Sequence, residues 1–182
     1  LGIDLMGVYA RALGYGAPLG IDLPGEHAGL IPDAEWKRLN LGESWSTGDT
    51  YNSVVGQGYV GATPLQVLTS IATLANGGVN PITGERVVGP EVCRRVLAVM
   101  ATAGLYELSG DWLYEIGMPG KSGVSGGIVT VSPGKGGVAT YSPPLDAAGN
   151  SVRGQLVTKY LAERLGLNLF ASERAGNSPD PA

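Results

Sequence analysis

Residues 127–141 read GIVTVSPGKGGVATY, two β-rich runs separated by a short Ser-Pro-Gly-Lys-Gly segment. So short a connection returns the chain only as an antiparallel neighbour, since a parallel strand needs a long crossover. "KSGV" just upstream, at 121–124, predicts a further strand and an antiparallel meander. A sheet this small needs helices on it to be stable. Helical patterns lie on both sides of it in the chain. Thr63, Pro64 and Gln66 make an N-cap, a favourable first position and a capping-box spacing, predicting a helix from Pro64 to Ala75. Its buried stripe reads Leu65, Leu68, Ile71, Ala72 and Ala75, and Asn76-Gly77-Gly78 supplies a left-handed stop.

Further helices are expected at Ile3–Leu13, from Pro90 to before Gly104, at Asp111–Ile116 and at Val152–Leu165. The second of these presents Val92, Val96, Val99 and Met100 on one face. The last presents Val152, Leu156, Tyr160 or Leu161, and Leu165, between a Ser151 cap and a Gly166 stop. Residues 15–62, with Trp36 and Trp45 isolated among Gly, Pro, Asp, Asn and Ser, read as a long irregular excursion. Helices, then an antiparallel sheet, then a closing helix give an α+β class. Residues 1–172 are expected to form one domain, and 173–182 a disordered tail.

Composition excludes several kinds of protein. With 43% apolar residues, the 182-residue chain can build a core without disulfides. One His and one Cys cannot complete the usual four-ligand zinc site, so neither a metal nor another cofactor is expected. Cys93 and His27 read as a packed thiol and a surface residue. A net charge of −4 with scattered Lys and Arg offers no face for nucleic acid, and no run is long enough to span a membrane. The chain opens on Leu, without a basic start or a cleavage site, and the reading places its natural start upstream.

The stretch with the most chemistry is "MPGKSGVSGG", residues 118–127. A lysine beside a hydroxyl can hold a carboxylate, and glycines let backbone N–H groups approach a substrate oxygen. The literal Ser-x-x-Lys at Ser132–Lys135 has the wrong setting for a nucleophile, because Pro133 and Gly134 make a hairpin turn of it.

Two family resemblances follow. "GYGAPLGIDLPGEHAGLIPDAEWKR" and "GDTYNSVVGQGYVGATPLQV", within residues 1–74, resemble the transpeptidase domain of class B penicillin-binding proteins. "ATLANGGVNPITGERVV", "MPGKSGVSGGIVTVSPGKGGVATYSPPLDAAGNSVRG" and "LAERLGLNLF", within residues 71–172, resemble the serine-dependent glutaminases. Both families belong to one superfamily with the β-lactamases, and the chain reads as a hybrid joined near "ATLANGG". The resemblance implies a site between an antiparallel sheet and a helical part, built from a Ser-x-x-Lys box, a second polar box and a Lys-Ser-Gly strand.

Only the strand is present in context, as Lys121, Ser122 and Gly123, expected to bind substrate. By resemblance, the Val124 N–H serves an oxyanion hole and Tyr106 is the active-site tyrosine. The implied substrate is glutamine, with a peptidoglycan stem peptide as the alternative and a non-catalytic fragment as a third reading. A glutaminase-like protein is expected in the cytoplasm and a penicillin-binding one outside it. An open sheet edge makes a homo-oligomer an expectation as well.

Overall fold

The computed structural model describes residues 2–22 and 24–171, so the expected tail at 173–182 lies outside the described residues. Strands β1 (Gly120–Ser122), β2 (Gly127–Ser132) and β3 (Gly136–Tyr141) form an antiparallel sheet in that order, with Lys121 opposite Val129 and Val131 opposite Gly137. Side chains alternate across a strand, and here both faces are covered. Ile128 packs with Leu105, Trp112, Ile116, Met118 and Ala162, whereas Val131 packs with Ile71, Ala75 and Met100. The sheet is therefore the middle layer between two sets of helices.

In chain order the helices are α1 (Ile3–Ala12), α2 (Ala34–Leu41), α3 (Thr47–Val54), α4 (Pro64–Ala75), α5 (Pro90–Ala103), α6 (Ser109–Ile116) and α7 (Val152–Arg164). Thr63 and Gln66 form the expected capping box of α4, and Gly77 and Gly78 take positive φ after it. This helix lies on β2 and β3. Its burial is not a stripe, however: Gln66, Thr69, Ser70 and Thr73 are buried beside Ile71 and Ala75, while Leu65, Leu68 and Ala72 are half-buried. Those polar groups are accommodated by bonding. Gln66 Nε2 donates to the carbonyls of Ala17 and Ala28, and the Thr69, Ser70 and Thr73 hydroxyls donate to carbonyls of their own helix.

The expected irregular excursion contains two helices. Asp33 caps α2 by accepting from the Trp36 N–H, and Ser46 with Asp49 forms a capping box for α3. Both helices are short and poor in apolar periodicity, so capping chemistry and an ion pair between the buried Lys37 and the half-buried Asp49 define them. Lys37 Nζ lies 2.8 Å from Asp49 and 3.3 Å from Glu43, and sits over the Tyr59 ring, which packs on Trp36.

The expected apolar faces of α5 and α7 are also corrected. Val92, Val96 and Val99 are exposed, whereas Met100 of the expected face is buried, together with Cys93. Of the residues expected on the apolar face of α7, Val152, Leu156, Tyr160 and the following Leu165 are exposed and Leu161 is half-buried, while Gly154, Thr158 and Ala162 meet the sheet. Close approach selects small side chains there. A Cβ on Gly154 would stand 2.9 Å from Thr140 Oγ1, and Ile71 leaves equally little room at Gly137 on the other face.

Two stability tests follow. Gly154→Ala, which in an exposed helix would be stabilising, should cost about 1–3 kcal/mol by overpacking, whereas Leu156→Gln should change stability by no more than about 0.5 kcal/mol. Urea unfolding with the order reversed would place the wrong face of α7 on the sheet. The second test concerns acid. The Lys37 ammonium and the Ser46 hydroxyl and N–H hold the Asp49 carboxyl down at about 2. A folded-state value below the unfolded one stabilises the protein above the ordinary carboxylate range, and that contribution disappears as pH falls toward 2. Melting temperature should fall through this window, and Asp49→Asn should melt lower at neutral pH with a smaller loss there.

Candidate active site

A close contact between two glycines builds the site. Gly104 follows α5 with its Cα against the Gly120 carbonyl, so that any side chain at 104 would collide with it. The Ser122 N–H donates to the Gly104 carbonyl at 3.1 Å. Trp112 backs the contact: Nε1 donates to the Met118 carbonyl at 2.8 Å, and its ring leaves no room for a Cβ on Gly120. The loop leaving α5 is thereby fixed beside β1.

Tyr106 starts a single 3-10 turn (Tyr106–Leu108) in that loop and has φ +55°, the left-handed region that a bulky side chain seldom adopts. Ser109 stabilises this backbone by accepting the Leu105 N–H at 2.9 Å and donating to the Tyr106 carbonyl at 2.7 Å. The reward is placement: the Tyr106 ring centroid lies 5.1 Å from Lys121 Nζ.

Lys121 faces the side of the sheet that carries α4. It lines a cleft of about 700 Å³ between β1–β3 and the segment running from the end of α3 into α4. Among the described residues no carboxylate pairs with it, and Nζ donates to the Ser122 carbonyl and rests against Tyr106. Burial by the surrounding wall pushes its pKa below the ordinary lysine value. Ser122 faces the other way. Its side chain is buried, and its hydroxyl turns toward the Gly104 carbonyl at 3.5 Å, although the residue contributes to the cleft lining.

Gly123 closes a tight turn, donating to the Gly127 carbonyl and accepting from the Gly126 N–H, each at 2.9 Å. Val124 sits exposed at its tip, and its N–H has no acceptor among the described residues. Gly149 brings the pieces together: a Cβ there would lie 3.8 Å from Tyr106 Cε2 and 4.0 Å from Val124 Cγ1. Tyr106, Lys121, Gly123 and Val124 thus converge at one end of β1, with the Ser122 hydroxyl behind them. Among the described residues no group of His, Cys, Asp and Glu could hold a metal, and no helix is long and apolar enough to cross a membrane.

The opposite wall was not anticipated. It comes from Val55, Gly56, Gln57, Ala62, Pro64 and Val67. Pro64 and Val67 are three apart on the first turn of α4, a spacing that puts them on one side, but the sequence pattern does not say which side faces a cavity. Ser132 is removed from this place. Its buried hydroxyl donates to the Leu167 carbonyl at 2.9 Å, and Lys135 reaches the Gly166 carbonyl, so the pair ties the hairpin to the chain after α7.

Backbone strain at Tyr106 can be isolated by comparing two truncations. Tyr106→Gly and Tyr106→Ala both remove the ring, but only glycine is at ease at this φ, so the glycine variant should be more stable by about 1 kcal/mol. Equal unfolding midpoints would mean that the loop relaxes and that Ser109 does not hold it.

Comparison with known proteins places this geometry. The glutaminase family model matches residues 47–170, beginning upstream of the expected junction near residues 71–74. Glutaminase 2 of Yersinia pestis is 66% identical over 102 residues, covering 56% of this chain and 30% of that protein. The glutaminase of Bordetella avium is 58% identical over 108 residues, covering 59% and 35%. The chain spans about a third of the length of these curated relatives. Among solved structures, the probable glutaminase YbaS aligns with TM-score 0.63 and 43% identity over 75% of this chain and 45% of that one. Bacillus subtilis YbgJ, solved as a covalent complex with 5-oxo-L-norleucine, aligns with TM-score 0.61 and 30% identity over 75% and 49%. With its sheet, its helices and most of its length matched in this way, the chain belongs to the glutaminase family.

Proposed function

We propose that this chain carries the substrate-recognition and oxyanion part of a glutaminase-type site, for a reaction that converts L-glutamine to L-glutamate and ammonia. The observation that carries the proposal is the convergence of Lys121, Tyr106 and the free Val124 N–H in a family member. In such a reaction a serine oxygen bonds to the side-chain amide carbon, its proton passes to the departing nitrogen, and ammonia leaves. Water then cleaves the ester to glutamate. The covalent complex of the Bacillus subtilis relative, formed from a diazoketone, supports a nucleophile in that relative that attacks a glutamine-shaped ligand.

Each residue has a part that follows from its chemistry. The Lys121 ammonium attracts the substrate carboxylate, which restores the charge stabilisation that burial takes from it. The Val124 N–H points its dipole at the oxygen that becomes negative when the amide carbon turns tetrahedral. Tyr106 presents a phenol that can orient or relay the proton, with its ring held by Lys121. Ser122 acts from behind, fixing β1 to the Gly104 carbonyl.

The nucleophile is the remaining part. Within the 182 residues the one serine followed by lysine at the right spacing is Ser132, which is committed to the Leu167 carbonyl. A second reading, a penicillin-binding transpeptidase remnant, draws on the motifs of residues 1–74, which supply the cleft wall opposite Lys121.

The purified chain should bind L-glutamate, and Lys121→Gln should weaken that binding about fivefold, the effect of one solvent-accessible ion pair. It should release no ammonia from L-glutamine and form no adduct with a fluorescent penicillin. Ammonia release abolished by replacing one serine would show that the chain contains a nucleophile after all. An equally serine-dependent penicillin adduct would favour the transpeptidase reading.

A further inference from the structure

The hydroxyl that the Lys-Ser-Gly triplet offers a ligand faces the wrong way. Ser122 turns it toward the Gly104 carbonyl, on the side of the strand away from Lys121. A carboxylate has two oxygens, and a lysine ammonium is one compact charge, which does not grip both as a planar arginine fork does. The donor available for the second oxygen stands three residues farther on.

Ser125 is exposed in the turn between β1 and β2 and lines the same cleft as Lys121. Its Oγ lies 3.8 Å from where a Cβ on Gly123 would stand, so the hydroxyl overhangs the last residue of the triplet. Gly123 also lines the cleft, two positions beyond Lys121, where strand alternation returns to the same face. Having no side chain, it leaves the space between the lysine and Ser125 open. The turn is closed by backbone bonds, from the Gly123 N–H to Gly127 and from the Gly126 N–H to Gly123. Among the described residues the Ser125 hydroxyl is not engaged in holding it. Lys121 approaches from the other side: Nζ donates to the Ser122 carbonyl, which folds the side chain along β1 toward the turn. The Tyr106 ring beside it, 5.1 Å away at its centroid, meets Gly149, and so does Val124. Ammonium, phenol and turn are therefore gathered in one place.

We propose that Ser125 is a specificity-determining residue of this site, its hydroxyl donating to one oxygen of the substrate α-carboxylate while Lys121 meets the other. This rests on the reading of Lys121 as the carboxylate site and names the partner that orients the carboxylate there. A single donor leaves a carboxylate free to rotate, whereas two donors fix its plane as well as its charge. The plane sets the direction in which the rest of the amino acid leaves the turn, and so whether its side-chain amide reaches the Val124 N–H.

Calorimetric titration of the whole chain with L-glutamine and with L-glutaminamide, whose α-carboxylate is replaced by an amide, tests this without requiring turnover. Ser125→Ala should weaken L-glutamine about fivefold, the effect of one hydrogen bond, and should change L-glutaminamide by less than about twofold, since no carboxylate is there to lose a donor. Ser125→Thr keeps a hydroxyl at an exposed turn position and should restore most of the affinity for L-glutamine. When Ser125→Ala is combined with Lys121→Gln, the loss should be smaller than the product of the two single losses, because both donors serve one group.

If Lys121→Gln weakens L-glutamine and Ser125→Ala does not, the Ser125 proposal is wrong and the carboxylate reading stands. If Ser125→Ala weakens both ligands equally, the residue acts through the shape of the turn and the proposal is likewise overturned. If L-glutamine shows no binding that depends on Lys121, the carboxylate reading itself fails, and this proposal with it.

Discussion

Everything at the candidate site depends on two backbones touching where neither residue has a side chain. Gly104 and Gly120 permit the end of α5 to press on β1, and no other residue type at either position would allow it. That contact aligns the Ser122 N–H with the Gly104 carbonyl and starts the following loop in the direction that brings Tyr106 over Lys121. A catalytic surface assembled from a loop and a strand loses precision when either moves by an ångström. Here the strand and the loop share hydrogen bonds, so they move together.

The sheet divides the work between its faces. Even-numbered positions of β2 and β3 face α6 and α7, where Ile128 enters an apolar cluster and Thr140 meets Gly154. Odd-numbered positions face α4, and along β1 the same alternation puts Lys121 on that side with Val129 and Ala139. The lysine and the apolar wall are therefore neighbours because α4 stands off the end of the sheet where β1 ends and β2 begins. Farther along, Ile71 and Ala75 close down on Val131, and the gap ends.

The parts legible in the sequence are those written in local chemistry. The α4 capping box, the Pro-Gly hairpin and the Ser151 cap of α7 each need a few adjacent residues, and each appears where it was expected. The convergence of Tyr106, Lys121 and Val124 was legible only through the family resemblance. Nothing in their own spacing shows that residues 106 and 121 touch. Helix faces were the weak point. Apolar periodicity on α5 and α7 selects the valines and leucines, but contact distance selects Gly154, Thr158 and Ala162, and a hydrophobicity pattern carries no distance. Helices α2 and α3 escaped notice for a related reason, since Lys37 and Asp49 hold them through a pair of charges that sequence reading assigns to the surface.

The strained tyrosine shows how the surrounding loops share this task. Its φ of +55° is unfavourable for any side chain, so the neighbours must hold the turn more strongly than it resists. Ser109 bonds to both sides of it from within the turn. From outside, the fully buried Asn150 directs Nδ2 at the Leu105 carbonyl at 3.4 Å, one residue before Tyr106. Asn150 is in turn held by Asp146, whose carboxylate accepts the N–H groups of Ala148 and Asn150 and the Gln155 amide. Those donors also keep the Asp146 carboxyl below its usual pKa, so the loop stays braced by a charged acceptor at neutral pH. Gly149 lies within this brace and against both Tyr106 and Val124. The segment before α7 thus fixes the phenol and the Gly123–Gly126 turn relative to each other, and the strain at Tyr106 is balanced by bonds from both sides.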